Sequence, residues 1–154
     1  MEICPIASTP ETVVIQKVIQ TLRSGGLVLY PTETTYGIGA DCENHAAVAK
    51  LLEYKGKRDG KALSIAVCDQ QMAEKYVHLN ETAKQIYATF LPGPVTVISK
   101  SRGVVAPGIE SIEKNVGIRI PKYPLILSCI QAYGKGITAT GANASYQKRP
   151  YTIS

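Results

Sequence analysis

Apolar residues near the start of the chain repeat with the period of a helix. The positions concerned are Val14, Ile15, Val18, Ile19 and Leu22. This spacing predicts an amphipathic helix. Thr9-Pro10 in front of it is typical of an N-cap followed by proline in the first turn, and Gly25-Gly26 ends the helix. The continuous apolar run at residues 27–30 that follows, between glycine and Pro31, predicts a buried strand.

The rest of the chain alternates between the same two patterns. Asn44 and Asn80 are predicted N-caps, the first for a helix with Ala47, Val48, Leu51 and Leu52 on one face. Further helices are predicted at residues 70–76, 80–91 and 124–133, and further strands at 63–67, 95–99, 116–120 and 137–140. Pro92-Gly93-Pro94 ends the helix at 80–91, and Gly134 ends the helix at 124–133.

Strands that alternate with helices predict one α/β domain spanning residues 1–154, with helices covering a largely parallel sheet. The adjacent strands between residues 95 and 120 indicate that the sheet is mixed. The chain has 154 residues, of which 45% are apolar and 19% charged, as is typical of a globular domain. No internal repeat and no linker divides it.

Charge and cysteine content narrow the class of protein. The net charge of +5 favours anionic partners such as nucleotides or RNA without choosing between them. The four widely spaced cysteines form no C-x-x-C pair, and His45 and His78 lie in helix-like segments where a surface or capping role is expected, so a reduced cytoplasmic protein without a metal centre is expected. No run of about 18 apolar residues and no basic-then-apolar leader is present, which argues against a membrane span or a secretion signal.

Three loops after predicted strands or helices carry the polar residues of interest. The first, residues 31–41, contains Thr32, Glu33, Thr34 and two glycines, and it either holds a polar ligand or is an ordinary strand-to-helix connection. It matches neither the dinucleotide nor the P-loop pattern. The third, residues 140–149, offers amide and hydroxyl groups that bind a ligand or make a turn.

The second loop and one strand supply the positive charge. Residues 55–61 place four cations and two glycines between a helix and a strand, which favours anion binding over a merely solvated loop. Arg119 lies within the apolar run at 116–120, where a charge is costly unless it is paired. It therefore meets either a carboxylate of the protein or a carboxylate or phosphate of a ligand.

Taken together, these segments resemble the YrdC family, the threonylcarbamoyl-AMP synthases. The counterparts of its ordered motifs are the YPTET-like stretch at 30–39, the lysine-rich stretch at 55–64, the PGP segment at 91–96, the GIRIP strand at 117–121 and the TGAN loop at 140–145. The resemblance spans about residues 20–150, and several motifs in one order make it more specific than any single motif.

This resemblance implies a twisted, mixed α/β sheet with helices packed on it and a basic concave surface. It also implies a reaction in which L-threonine, bicarbonate and ATP, with Mg²⁺, give threonylcarbamoyl-AMP and pyrophosphate. A partner transferase then modifies tRNA, and tRNA or double-stranded RNA is an expected further partner. Such a reaction needs alignment and positive charge rather than a nucleophilic side chain.

The resemblance also implies roles for individual residues. Thr32, Thr34 and Arg119 would bind threonine, and Lys55 and Lys57 would be catalytic. The expected nucleotide-binding residues are Lys55, Lys57, Arg58, Lys61, Asn115, Thr140, Gly141, Asn143 and Ser145.

The sequence departs from the family's pattern at several positions. Lys57 stands where the family has arginine, Arg58 where it has proline, and Gly141 where it has serine. The pair Ser145-Tyr146 stands where the family has Ser-Gly, and the chain ends before the further helix and strand that members usually have. The phosphate-binding guanidinium is therefore either lost or supplied one residue later, by Arg58.

Two alternatives to the synthase stay open. A basic surface also suits an RNA-binding module without catalysis, whose affinity would fall steeply with salt. A carbamoyl-transfer domain, of the kind that the family contributes to hydrogenase maturation proteins, would use carbamoyl phosphate or a carbamoyl adenylate instead of threonine.

Overall fold

The computed structural model describes residues 1–145 and 147–148. The helices in this part of the chain are α1 (Glu11–Arg23), α2 (His45–Lys55), α3 (Gln70–Ala73), α4 (Glu81–Phe90) and α5 (Pro124–Tyr133). The strands are β1 (Val28–Pro31), β2 (Tyr36–Gly39), β3 (Ser64–Ala66), β4 (Val77–His78), β5 (Val97–Ser101), β6 (Asn115–Arg119), β7 (Ile137–Thr138) and β8 (Thr140–Gly141). The predicted α/β class is confirmed.

Local capping chemistry sets most helix ends. The side chains of Asn44 and Asn80 accept hydrogen bonds from backbone N–H groups in the first turns of α2 and α4, as predicted. Gly134 ends α5 in the left-handed conformation, with φ of 84°. The prediction for α1 was wrong in one detail, because its N-cap is Pro10 rather than Thr9 and no side chain caps it.

The strands form two sheets rather than one. Strands β1, β2 and β8 make an antiparallel three-stranded sheet, and the other sheet has the order β4-β5-β6-β3-β7. Of the strand pairs described, β3 with β6 is parallel and the others are antiparallel. The expectation of a largely parallel sheet was therefore wrong, and the expectation of a mixed sheet was right. Parallel neighbours need a crossover connection, usually a helix, whereas β5 and β6 are joined by a loop and are antiparallel.

One stretch of chain joins the two sheets. Strand β7 pairs with β3 in the larger sheet, and β8, two residues later, pairs with β2 in the smaller sheet. Thr138 is fully buried at this passage; its hydroxyl accepts from Ala40 N–H at 2.9 Å and donates to Ile38 C=O at 3.1 Å. The two sheets are thus held edge to edge where the third predicted loop begins.

Strand β2 lies within the first predicted loop, residues 31–41, for which the sequence left open a ligand-binding loop or an ordinary connection. Its glycines make room for a ring: a Cβ on Gly37 would lie 2.9 Å from Cζ of Tyr30, and one on Gly39 would lie 3.0 Å from Cε1. The Tyr30 hydroxyl donates to Thr138 C=O at 2.9 Å. These glycines therefore serve close packing across the β1–β2 pair, and the turn proper is confined to the threonines before β2.

Among residues 1–145 and 147–148, no helix combines the length and apolar character that a membrane span requires. In the same part of the chain all four cysteines are free thiols.

Candidate functional site

A cavity of about 300 Å³ opens at the junction of the two sheets. It is lined by the turn between β1 and β2, the end of α2 with the loop that follows it, the end of β6, and the β8 loop. Most residues predicted for the site line it, namely Thr32, Thr34, Lys55, Arg58, Lys61, Arg119, Thr140, Gly141, Asn143 and Ser145. Three loops that are distant in sequence thus meet at one hollow.

Lys55, the last residue of α2, ties the end of this helix to the β8 loop. Its ammonium donates to the carbonyls of Gly141 at 2.9 Å and Asn143 at 2.6 Å, and its own C=O accepts from Ser145 N–H at 3.0 Å. The residue is 5% exposed. Burial, followed by the neighbouring charge of Arg58, lowers the pKa of Lys55. Lys55 therefore holds the loop in place at the cavity wall.

Arg119 at the end of β6 pairs with a carboxylate of the protein. Its Nη2 donates to Oε1 of Glu33 at 2.7 Å and to Oγ1 of Thr34 at 3.1 Å. The second Glu33 oxygen accepts from Lys122 N–H at 3.2 Å. The sequence left two kinds of partner open for Arg119, a carboxylate of the protein or an anionic group of a ligand. The structure contains the protein carboxylate, Glu33. Arg119 also lines the cavity, where a ligand can contact it.

The hydroxyls of Thr32 and Thr34 connect Arg119 to the backbone of the β1–β2 turn. Arg119 can only donate, and Thr35 C=O, which accepts from the Thr32 hydroxyl at 2.7 Å, can only accept. Oγ1 of Thr34 lies 3.1 Å from Oγ1 of Thr32, and either atom can be the donor. Oγ1 of Thr32 also accepts from the backbone N–H groups of Thr34 and Thr35. Thr32 thus builds the turn, and Thr34 lines the cavity, where a ligand can contact it.

The lysine-rich loop presents Arg58 rather than Lys57 to the cavity. Arg58 donates from Nε to Lys61 C=O at 3.2 Å and from Nη2 to Ala62 C=O at 2.8 Å, and it lines the cavity with Lys61. The Lys57 side chain is 86% exposed, and its ammonium is 3.9 Å from Asp59. Lys57 does not line the cavity, which contradicts its predicted placement there. The loop turns after Gly56, at φ of 69°, so that neighbouring side chains point in different directions.

Asn143 organises the β8 loop around a glycine. Its Nδ2 donates to the carbonyls of Ala144 at 3.0 Å and Gln147 at 2.9 Å. A Cβ on Gly141 would lie 2.4 Å from Oδ1 of Asn143, so the side chain of Asn143 occupies the space that the family's serine would need. Tyr146 and Arg149, which belong to the same predicted loop, lie outside the described residues.

Asn115 does not join the other predicted residues. It begins β6, whereas Arg119 ends that strand, and about four residues of strand separate the two by roughly 13 Å. Asn115 pairs with Lys100 of β5 and lines a different surface hollow, near His78. The structure therefore does not bring Asn115 to the cavity that the other predicted residues line.

Several lining residues were missed in the sequence. Tyr30, Tyr36, Gly37, Ala66, Pro121 and Ala139 also line the cavity. Tyr30 and Ala66 read as ordinary apolar positions of strands, and Ala139 as part of one strand rather than the link between two sheets. Pro121 lies two residues after Arg119 in the strand motif, and Tyr30, Tyr36 and Gly37 belong to the YPTET-like stretch, so the resemblance did carry a signal for these positions. The places of Ala66 and Ala139 at the cavity depend on how strands of the two sheets meet.

The charges at the cavity are of one sign. Lys55, Arg58, Lys61 and Arg119 line it, and within the described part of the chain no aspartate or glutamate does. No group of three or more His, Cys, Asp or Glu side chains among these residues is placed to hold a metal ion. The arrangement suits an anionic ligand, with hydroxyl and amide groups to orient it.

This chain is similar to known proteins of one family. The model of the Sua5/YciO/YrdC family, described as "Telomere recombination", matches residues 20–154. A relative in Methanocaldococcus jannaschii is 39% identical over 146 residues, covering 90% of this chain and 66% of that protein. A Vibrio vulnificus protein named threonylcarbamoyl-AMP synthase is 31% identical over 143 residues, covering 90% of this chain and 76% of that one.

A solved structure of Sua5 from P. abyssi, complexed with L-threonine, superposes with a TM-score of 0.85 at 30% identity. The match covers 92% of this chain and 42% of the Sua5 chain. The chain therefore spans about two thirds of the M. jannaschii relative and less than half of the P. abyssi Sua5 chain.

Proposed function

This chain belongs to the Sua5/YciO/YrdC family, and we propose that it makes threonylcarbamoyl-AMP from L-threonine, bicarbonate and ATP, with release of pyrophosphate. The observation that carries the proposal is the convergence of Lys55, Arg58, Lys61 and Arg119 on one cavity that no described carboxylate lines. A solved relative of the same fold was crystallised with L-threonine, and a curated relative is named for the proposed product.

The amino acid is assigned to the end of the cavity formed by the β1–β2 turn and β6. Arg119 would pair with its carboxylate, and the Thr34 hydroxyl would hydrogen-bond with its amine or hydroxyl. Thr32 would act by holding the turn.

The nucleotide is assigned to the other end, between the lysine-rich loop and the β8 loop. Arg58 and Lys61 supply positive charge there, and the Asn143 side chain and Ser145 supply polar contacts. Arg58 takes the place proposed for the family's arginine, and Lys57 is left without a direct role. Lys55 contributes charge to the cavity wall and fixes the loop that carries Asn143.

The chemistry would need alignment more than a reactive side chain. The threonine amine captures carbon dioxide derived from bicarbonate, which forms the N–C bond of a carbamate and releases a proton. A carbamate oxygen then attacks the α-phosphorus of ATP, and the bond from that phosphorus to the pyrophosphate oxygen breaks. Cations fixed around the phosphates would stabilise the charge that moves to the leaving group.

We assign no residue to Mg²⁺. The described lining has no carboxylate, and carboxylates are the side chains that hold this ion in proteins. The magnesium ion would enter with the triphosphate as part of the substrate. We further propose a cytoplasmic location, which suits the free thiols, a downstream threonylcarbamoyl transferase as consumer of the product, and tRNA as the final acceptor.

The test is pyrophosphate release from ATP by the purified chain, with threonine and bicarbonate each omitted in turn. We expect release only when both are present. Turnover of ATP that is indifferent to threonine would overturn the proposal. Binding of RNA with a steep salt dependence, in a protein that binds no threonine, would instead favour the RNA-binding module.

A matched pair of variants tests the nucleotide assignment. Arg58→Ala removes a guanidinium at the cavity, and Lys57→Ala removes a neighbouring cation that points to solvent. A charge-assisted hydrogen bond is worth about 1.5–3 kcal/mol, so we expect Arg58→Ala to raise the Kd for ATP by about 10-fold to 100-fold. Lys57→Ala should change it by less than about threefold. Equal effects of the two variants would reject the assignment.

A further inference from the structure

Glu33 binds Arg119 from outside the cavity. Its Oε1 accepts from Nη2 of Arg119 at 2.7 Å, and its Oε2 accepts from Lys122 N–H at 3.2 Å. The side chains of Glu33 and Arg119 are 18% and 19% exposed. Arg119 lines the cavity, whereas Glu33 does not. The carboxylate therefore lies behind the guanidinium and joins the β1–β2 turn to the segment after β6.

These contacts leave one part of the guanidinium unused. Nη2 of Arg119 carries the bonds to Glu33 and Thr34, while Nε is buried and has no hydrogen-bond partner among the described residues. Because the guanidinium is a rigid plane, fixing Nη2 fixes the direction of every other N–H group. A buried donor without a partner is costly, so Arg119 keeps this orientation only while the contacts at its Nη2 hold it.

We propose that Glu33 is a positioning residue that sets the orientation of Arg119 for the carboxylate of the amino acid, an assignment that rests on the proposed function. Glu33 would touch no substrate atom. Without it, Arg119 would regain its rotamer freedom, and the ligand would have to order the side chain on binding. The turn would also lose its bond to Lys122 N–H, so that Thr34 and Arg119 would no longer be held in one fixed relation.

The experiment compares Glu33→Ala and Glu33→Gln with the matched control Glu110→Ala. Glu110 is buried to the same degree, at 19% exposure, and has a cationic partner, Lys114, at 3.4 Å, but it does not line the cavity. We expect Glu33→Ala to raise the KM for threonine by up to about tenfold, with the KM for ATP changed by less than about twofold. Glu110→Ala should alter neither value.

Glu33→Gln distinguishes orientation from simple folding. In wild type the two donors meet separate carboxylate oxygens, and glutamine replaces one of these oxygens with an NH₂ group that only donates. We therefore expect a KM for threonine between those of wild type and Glu33→Ala. A purely structural role would lower the thermal stability of both alanine variants and leave the KM of the folded fraction unchanged. That result would overturn the proposal.

A second readout does not depend on activity. The Nε–H resonance of Arg119 in a ¹⁵N spectrum, identified by its loss in Arg119→Lys, should be sharp and slow to exchange in wild type and in Glu110→Ala. It should broaden or shift in Glu33→Ala. An unchanged resonance in folded Glu33→Ala would reject the positioning role. If wild type failed to bind threonine, the proposed function would fall, while this resonance would still decide whether Glu33 orients Arg119.

Discussion

Replacing Lys55 with methionine removes the ammonium that holds the β8 loop and keeps most of the apolar stem. In the native protein this ammonium donates to two backbone carbonyls, at 2.9 and 2.6 Å, in a residue that is 5% exposed. Methionine can replace neither bond. The carbonyls of Gly141 and Asn143 would have to find water, which requires the loop to move away from the end of α2.

The magnitude follows from those two bonds and from the cost of burying the charge. Hydrogen bonds to charged groups contribute about 1.5–3 kcal/mol each, giving a gross loss of about 3–6 kcal/mol. Burial lowers the pKa of Lys55, which means that it disfavours the charged form. The cost of desolvating the ammonium therefore offsets part of the stabilisation from its two hydrogen bonds. We therefore expect Lys55→Met to lower the free energy of unfolding by about 2–3 kcal/mol.

The assay combines urea unfolding with amide hydrogen exchange, and Lys50→Met is the matched control. Lys50 lies on the same helix and donates to Gly25 C=O at 3.1 Å, but from an exposed position, so its loss should cost less than about 0.5 kcal/mol. Exchange at Ser145 N–H, which bonds to Lys55 C=O, should become faster only in Lys55→Met. Equal stability of the two variants, with unchanged exchange in the loop, would refute the reasoning.

Three further predictions concern packing and pH. Gly37→Ala places a Cβ 2.9 Å from the ring of Tyr30 and should cost about 1–3 kcal/mol in urea unfolding; a loss below about 0.5 kcal/mol would show that the ring moves freely. Gly141→Ser, the residue of the family's pattern, places a Cβ 2.4 Å from Oδ1 of Asn143; by displacing that amide it should weaken ATP binding, as titration calorimetry would measure, and tighter binding would contradict this account. Burial raises the pKa of Cys42 above its ordinary value of 9.0, so the unfolded chain loses this proton at lower pH than the folded one, and the free energy of unfolding should fall as the pH rises past about 9. Cys42→Ala should show a shallower fall between pH 9 and 10, and an identical slope would disprove the contribution of this thiol.

Much of the helical structure was predictable because its causes are local. Asn44 and Asn80 cap the helices that follow them, and Gly134 ends α5, through contacts within a few residues. The buried runs likewise marked the approximate places of β1, β3, β5 and β6. Short strands were harder to predict from the sequence. Strand β2 was predicted as part of a loop, and residues 137–140 were predicted as one strand. The passage of residues 137–141 from one sheet to the other depends on partner strands that are far away in sequence.

The residues of the candidate site were likewise only partly predictable from the sequence. The sequence by itself determined which segments matter, since the ordered motifs pointed to the loops that meet at the cavity. It also limited the partner of Arg119 to a carboxylate or phosphate, because a charge in an apolar run must be paired. It could not choose between the two sources, since Glu33 lies 86 residues away.

Tertiary structure alone decided how the side chains are used. It directs Arg58 into the cavity and Lys57 to solvent, places Asn115 at the far end of its strand, and sets Glu33 behind Arg119. The physical reason is that backbone direction at a loop and register across a sheet arise from contacts between distant segments. Residue type fixes what a side chain can bind, and only the packing of the two sheets fixes what it meets.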